Sequence, residues 1–253
     1  MSERSTVVFV IDGSFEGLLS ALFYGFSKNI QPADVVDEMH QIDLFHQTLQ
    51  IPAREELAKR VARGLINKAG YECYRQIYLA YLCEHETRYL AIYQYASMVL
   101  RQGKTARYAI ATDGGAKVMQ LSRFVGNEAH MLTQFIRFSI LEDGLMFARM
   151  APKSDCLEIV LDHFAKRFSG QCFLICDTMR NKVGIFQPPD QKMIVPVEQI
   201  PSPKPGTEER KYRELWKQFF HSIAISDRKN TRCQNSHMPK RYRLYMTEFF
   251  VGR

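Results

Sequence analysis

The sequence predicts an α+β protein: a helix-rich N-terminal half, antiparallel sheet elements around 132–187, and a helical, basic C-terminal module. Three observations predict it. Apolar residues recur at helical spacing through much of 15–102, and the period shifts to two between Phe135 and Phe186. A proline-rich stretch then precedes a segment that carries the whole net charge. The expected division is an α+β body, 1–200, with a basic module, 201–253, packed on or near it.

Val7-Val-Phe-Val-Ile11 is a β-rich run, closed by Asp12-Gly13-Ser14 and followed by an apolar-periodic helix from about Phe15 to Ser27. Asp12 or Ser14 would cap that helix, and Glu16 in its first turn complements the dipole. The strand–turn–helix has the outline of a phosphate cradle. Only Gly13 and Gly17 are present, however, and Asp12 would repel a phosphate, so a capped helix start is the expectation. From about Ala53 to Gln102 the pattern is helical, with Leu57, Ala58, Val61, Ala62 and Leu65 on one stripe. Gly70 separates this helix from a tyrosine-rich stretch, 71–95, that reads as two more. Those tyrosines fall mostly at helical spacing and are expected in the core. A further helix is expected from Gly115 to His130.

Phe135–Ile140 and Leu145–Met150 flank Glu142-Asp143-Gly144, a hairpin signal because Asp-Gly suits a type I′ turn. Alternation puts Arg137 on the face opposite Ile136, Phe138 and Ile140. Ser154 or Asp155 would cap the next helix, whose stripe is Leu157, Val160, Leu161, Phe164 and Phe168. His163 and Arg167 lie four apart on its flank. Strands at Cys172–Cys176 and Val183–Phe186 follow, joined through Asp177-Thr-Met-Arg180. Pro188-Pro189 and the prolines from 196 to 205 read as a linker, and Leu215, Trp216, Phe219, Phe220 and Ile223 as an amphipathic helix.

With 46% hydrophobic residues over 253, the chain has enough apolar surface for a packed core. Its six cysteines read as reduced, buried thiols of a cytoplasmic protein. Cys172 and Cys176 on one strand would sit about 13 Å apart, too far to chelate one ion. Cys233 and His237 have half the spacing of a zinc site but no second pair. No cofactor or metal is therefore called for. Val7–Ile11 is too short for a secretory h-region, and Phe15–Phe26 falls well short of the ~20 residues that span a bilayer, so no membrane association is expected.

Residues 201–253 hold 12 Lys and Arg against 5 Asp and Glu, which accounts for the entire net charge of +7. Such asymmetry suits an anionic partner. Within it, Arg228, Lys229, Arg232, Lys240, Arg241 and Arg243 supply cations. Asn230, Gln234, Asn235 and His237 supply directed polar groups, and Tyr242 and Tyr245 supply rings. Phosphates need the cations, base edges or sugars need the polar groups, and exposed bases stack on the rings. A basic surface without a partner, or a clamp on the protein's own carboxylates, fits the same composition. No nucleophile elbow, Walker loop or Ser/His/Asp set is present. His130, Arg137, Glu142, His163, Arg167, Asp177 and Arg180 are scattered in sequence; they form one cleft only if the fold gathers them, and otherwise serve as surface or ion-pair residues.

The ordered stretches Asp12-Gly-Ser-Phe-Glu-Gly-Leu-Leu19, Glu128-Ala-His130, Phe135-Ile-Arg-Phe138, His163-Phe-Ala-Lys-Arg-Phe168 and Asp177-Thr-Met-Arg180 carry a family resemblance. It continues through Leu215–Ile225, Arg228-Lys-Asn230 and His237-Met-Pro-Lys-Arg-Tyr242. From end to end the chain resembles a bacterial family described as DNA metabolism proteins. Its C-terminal domain of unknown function is also found fused to uracil-DNA-glycosylase-like domains. The resemblance implies a role in DNA repair or modification beside a radical-SAM protein encoded nearby. This chain lacks the cysteine triad of a radical-SAM enzyme, which makes it the companion rather than the catalyst. Arg243 stands where family members often carry Trp, which removes one ring from the module.

Three functions follow as expectations. The leading one is a nucleic-acid-binding accessory protein in DNA repair. There Arg228, Lys240 and Arg241 hold phosphate, Asn230, His237 and Tyr242 lie nearer a base or sugar, and Arg137, Arg167 and Arg180 are further nucleic-acid-binding candidates. An enzyme acting on a nucleic acid or nucleotide would instead use His130, Glu142, His163 and Asp177 as acid–base groups, in a cleft lined by Arg137, Arg167 and Arg180. A protein-interaction module would dock the basic segment on the radical-SAM partner.

Overall fold

Val8 to Ile11 are buried, alternate side chains facing opposite sides, so the first strand has no solvent face. That is the pattern of a strand inside a parallel sheet. The computed structural model describes residues 7–39, 47–103, 105, 112–201, 203–223 and 230–249. The chain falls into two units, Met1–Gly126 and Asn127–Arg253.

In unit 1, β1 (Val7–Ile11) pairs in parallel with β2 (Asp34–Asp37) on one side and β3 (Gln47–Gln50) on the other. The sequence did not predict this parallel sheet. Asp-Val-Val-Asp and Gln-Thr-Leu-Gln are too short and too polar to betray a strand by alternation. Helix α1 (Phe15–Lys28) connects β1 to β2, and Ser14 caps it by accepting a hydrogen bond from the Gly17 N–H at 2.9 Å. The helices α2 (Glu55–Ala69), α3 (Tyr71–Tyr81) and α4 (Arg88–Gln102) follow. Gly70, at φ +90°, makes the break between α2 and α3 that the sequence predicted. Leu18 and Leu22 of α1, Leu65 of α2, Ile77 of α3 and Ile92 of α4 are fully buried, each worth roughly 1.5–3 kcal/mol of hydrophobic stabilisation. Phe15 meets the rings of Tyr74, Tyr78 and Tyr81 at 5.0–6.0 Å. Tyr89, Tyr93 and Tyr95 are buried as well, and burial pushes the Tyr93 hydroxyl up to about 12. The core expectation holds for Tyr89, Tyr93 and Tyr95, whereas Tyr74, Tyr78 and Tyr81 are half-buried and Tyr71 is exposed.

Helix α5 (Asp113–Phe135) runs through the division between units and is longer than the expected 115–130. Unit 2 carries a five-stranded sheet, β4 (Phe138–Ile140), β5 (Met146–Met150), β6 (Phe173–Asp177), β7 (Lys182–Gln187) and β8 (Gln191–Pro196), in that order. The β4–β5 hairpin closes through residues 141–145. Gly144 sits at φ +83° and donates to the Leu141 carbonyl at 3.0 Å, a longer turn than the two-residue one expected. Pairing is antiparallel except between β5 and β6, which run parallel because α6 (Leu157–Arg167) crosses between them. The α6 start corrects another expectation. Cys156 takes the N-cap position without a side-chain cap, while Asp155 pairs with Lys182 at 2.6 Å. Phe138 meets the rings of Phe164, Phe168 and Phe173 at 4.9–5.6 Å, and Phe173 stacks on Phe186.

Strand β8 lies between the two proline clusters read from sequence as linker, overlapping them only at Pro196. Its Pro196 lies at the strand end, where a missing N–H is tolerated. Beyond it come α7 (Thr207–Ser222), α8 (Thr231–His237) and two 3₁₀ turns, Lys240–Tyr245 and Thr247–Phe249. Helix α7 forms as predicted but buries none of its residues; Leu215, Trp216, Phe219 and Ile223 are exposed. None of the six cysteines forms a disulfide. Four are buried as expected, but Cys172 and Cys233 are exposed. No described helix is long and apolar enough to cross a membrane.

Candidate nucleic-acid interface

Two buried carboxylates fasten the C-terminal segment within unit 2. Glu128 on α5 is 2% exposed, and its oxygens accept the backbone N–H groups of Lys153 and Ser154 at 3.0 and 2.8 Å. The Arg241 guanidinium approaches the same carboxylate at 3.3 Å. Tyr242 packs against Phe135 at 5.7 Å between ring centres, and the Tyr245 hydroxyl reaches Thr178 at 3.2 Å. The second carboxylate, Glu248, accepts a hydrogen bond from Arg137 at 2.7 Å. The tail is thus held by ion pairs to residues far away in sequence; Arg241 on Glu128 realises the clamp reading of its basic charge, whereas at Glu248 the tail supplies the carboxylate.

Four arginines, the two clamp cations among them, line two cavities. The larger, about 240 Å³, has Arg137, Arg149 and Arg213 in its wall with Ser139, Tyr245 and Thr247. Strand alternation builds this wall. Phe147 and Arg149 share one face of β5, and the Arg149 guanidinium lies 5.3 Å from the centre of the Phe147 ring. Arg213 on α7 donates to Glu209 at 2.8 Å and to the Ser139 hydroxyl. Arg137 and Arg213 therefore each carry a carboxylate. Arg149 differs: it donates to the Pro201 carbonyl at 2.7 Å, its Nε is buried without a partner, and no carboxylate pairs with it among the described residues. The smaller cavity is lined by Arg149, Arg241, Tyr242 and Tyr245. Arg149 and Tyr245 wall both cavities, so four guanidiniums and two tyrosyl rings line two adjoining cavities, an arginine track.

Buried groups beneath the track are chemically quiet. Burial pushes the Cys176 thiol up to about 11, with Arg149 acting in the opposite direction, and burial beside Glu128 raises Cys156 further. Neither is a thiolate at neutral pH. Asp177 is fully buried. Burial raises its pKa, opposed by the Met179 N–H and by Arg180, which donates to it at 3.0 Å.

The four acid–base candidates are not gathered at either of these cavities. His130, Glu142 and His163 are exposed, on α5, the hairpin turn and α6, and Asp177 is held by Arg180. Among the nucleic-acid candidates, Arg137 lines the larger cavity and Arg241 and Tyr242 the smaller. Lys240 is exposed beside them. Asn230 caps α8 by accepting from the Cys233 N–H at 2.9 Å, and His237 ends that helix with its ring against the Cys233 carbonyl at 3.0 Å. Arg167 lies over the Phe168 ring at 5.9 Å, and Arg180 also donates to the Pro152 and Lys153 carbonyls. Arg228 lies outside the described residues. Sequence reasoning missed Arg149 and Arg213. The signal for Arg149 was an arginine at an inward position of Met-Phe-Ala-Arg-Met; for Arg213 it was Glu209 one turn earlier.

A family model described as DUF4130, a domain of unknown function, matches residues 86–248. The chain belongs to the DUF4130 family. The matched region holds α4, α5 and unit 2 as far as Glu248, so it contains both carboxylate clamps and every residue of the arginine track. The expected C-terminal domain of unknown function is therefore present. No curated protein and no solved structure matches the chain.

The Glu248 clamp has a pH signature in this DUF4130 domain. Burial raises the Glu248 pKa, but the hydrogen bond and charge of Arg137, helped by the Trp216 indole, outweigh it and hold the carboxyl below its ordinary value. A carboxyl whose folded pKa is depressed contributes stability above its unfolded pKa and loses it as pH falls through the folded one. Glu248→Gln should therefore lower the melting temperature at pH 7 and converge on the parent as pH drops below about 4.5. Thermal melts from pH 7 to 3.5 check this. A gap that stays constant would show that the ion pair is not the source.

Proposed function

We propose that the chain binds single-stranded DNA along the arginine track of unit 2, as an accessory protein in DNA repair or modification. The observation that carries this reading is the sharing of Arg149 and Tyr245 by the two cavities, which aligns four guanidiniums with two tyrosyl rings. Cations spaced along a groove and interleaved with rings suit a strand whose phosphates are neutralised and whose bases are unstacked. A cavity of about 240 Å³ suits a nucleotide-sized fragment and is too small for a duplex. The role in DNA repair rests on the family resemblance of the sequence.

Fluorescence anisotropy with labelled single-stranded and duplex oligonucleotides tests it. Single strands should bind at low salt, with a log–log salt slope of about −2 to −3 if all four arginines meet phosphate. Absence of binding at low salt overturns the reading, and equal affinity for duplex overturns its single-strand part. A second reading draws on α7, where Leu215, Trp216, Phe219 and Ile223 leave an apolar stripe in solvent. Such a stripe suits docking on a protein, in line with the radical-SAM partner that the resemblance implies. Co-purification of that partner after nuclease treatment, lost on Leu215→Asp, would favour docking over shared DNA.

A further inference from the structure

The strand–turn–helix at the start of unit 1 is not used by the DNA track, yet two neighbours of its Gly13, Asp37 and Tyr89, line a third cavity. This cavity, about 320 Å³, is lined by Asp37, Glu84, His85, Glu86, Arg88 and Tyr89 among others. Asp37 is the last residue of β2, and Tyr89 donates to the carbonyl of Gly13, which follows β1. The cavity therefore lies outside the carboxyl ends of two adjacent parallel strands, where sheets of this kind take their ligands.

Two details say which ligand fits. In dinucleotide-binding turns, the phosphate sits on the free N–H groups of the first helix, and an acidic residue ending the second strand takes the ribose hydroxyls. Here the phosphate seat is already filled. The Asp12 carboxylate accepts the Ser14 N–H at 3.0 Å and the Ser14 hydroxyl at 2.6 Å, and that hydroxyl in turn accepts the Gly17 N–H. A side chain at Gly17 would run into the same Asp12 oxygen, so the carboxylate lies directly against the helix start. The ribose seat is present. Asp37 stands 20 residues beyond Gly17, and one of its oxygens accepts the Met39 N–H at 3.2 Å. Its other oxygen has no partner among the described residues.

The cavity wall repeats this preference. Asp37, Glu84 and Glu86 face it against the Arg88 guanidinium, which is bound to the Cys83 carbonyl at 2.9 Å and the Tyr89 hydroxyl at 2.7 Å, and the Lys117 ammonium on His85, so the wall keeps an excess of negative charge. Such a field attracts hydroxyl donors and repels phosphate. The His85 ring is anchored at both nitrogens, by the Thr87 N–H and by Lys117, which leaves its face as a flat contact for a base. We infer that the crevice beside Asp37 binds an unphosphorylated ribonucleoside, with the Asp37 carboxylate on the ribose diol.

Calorimetric titration of the full chain with adenosine, guanosine, cytidine and uridine tests the inference. At least one should bind saturably. Its 2′-deoxy form and its 5′-monophosphate should each bind about tenfold more weakly or worse, and Asp37→Asn should lose about tenfold while keeping the parent's circular dichroism and melting temperature. Failure of all four nucleosides to saturate overturns the inference. So does an Asp37→Asn variant of unchanged affinity, a tighter-binding monophosphate, or displacement of the nucleoside by equimolar spermidine, which would mark the crevice as a cation site.

Discussion

Arg180→Ala should cost about 3–5 kcal/mol of stability and lower the melting temperature of unit 2 on the order of 10–20 °C. The reason is the neighbour it abandons. Asp177 is 0% exposed at the end of β6, and Arg180 itself has a side chain only 10% exposed, so solvent screening offers little relief. Burial already raises the Asp177 pKa, and loss of the guanidinium removes one of the two groups opposing it. The same guanidinium donates to the Pro152 and Lys153 carbonyls at 3.3 and 2.6 Å. The backbone it steadies there presents the Lys153 and Ser154 N–H groups to Glu128, which in turn faces Arg241. One substitution should therefore loosen both the β6 end and the seat of the C-terminal segment. Pairing it with Asp177→Asn, which removes the stranded charge, should recover part of the loss. Chemical denaturation checks both; an Arg180→Ala variant within about 1 kcal/mol of the parent would show that the pair is not structural.

Arg180 also illustrates how much of the molecule was legible beforehand. Asp177-Thr-Met-Arg180 stood out as a polar link between two strands, and that is where it lies; which of its charges would be internal could not be read, because burial depends on what packs above. The same holds along the chain. Helices α1 to α4 and their break at Gly70 followed from periodicity and one backbone glycine, both local signals. The partners of β1 did not, because β2 and β3 are four residues each and their identity comes from pairing rather than from pattern. β8 was hidden by the prolines around it. At the site, charge counting found the tail and its residues Arg241 and Tyr242, yet Arg241 faces an internal carboxylate. Arg149, the track arginine without a carboxylate among the described residues, sits in the segment whose charges balance overall. Net charge locates an excess and is blind to a single guanidinium whose neighbours happen to be neutral.

That asymmetry fixes the expected order of effects on DNA binding. Arg149→Ala should weaken single-strand binding about ten- to hundredfold at low salt and flatten the log–log salt slope by about 0.7, the loss of one phosphate contact. Arg241→Ala should weaken it less, because the charge of Arg241 is partly met by Glu128 at 3.3 Å. Lys240→Ala with Arg241→Ala should remove the exposed cation as well and approach the Arg149 effect. The structural cost runs the other way. Arg149 lies over Phe147 and holds one carbonyl, so its removal leaves no buried carboxylate unpaired among the described residues. Removal of Arg241 leaves Glu128 with only its two backbone donors and should lower the melting temperature more. Affinity and stability thus separate the two arginines in opposite directions, which a general loss of folding cannot imitate. An Arg149→Ala variant that binds as tightly as the parent, with an unchanged salt slope, would remove the track from the binding surface.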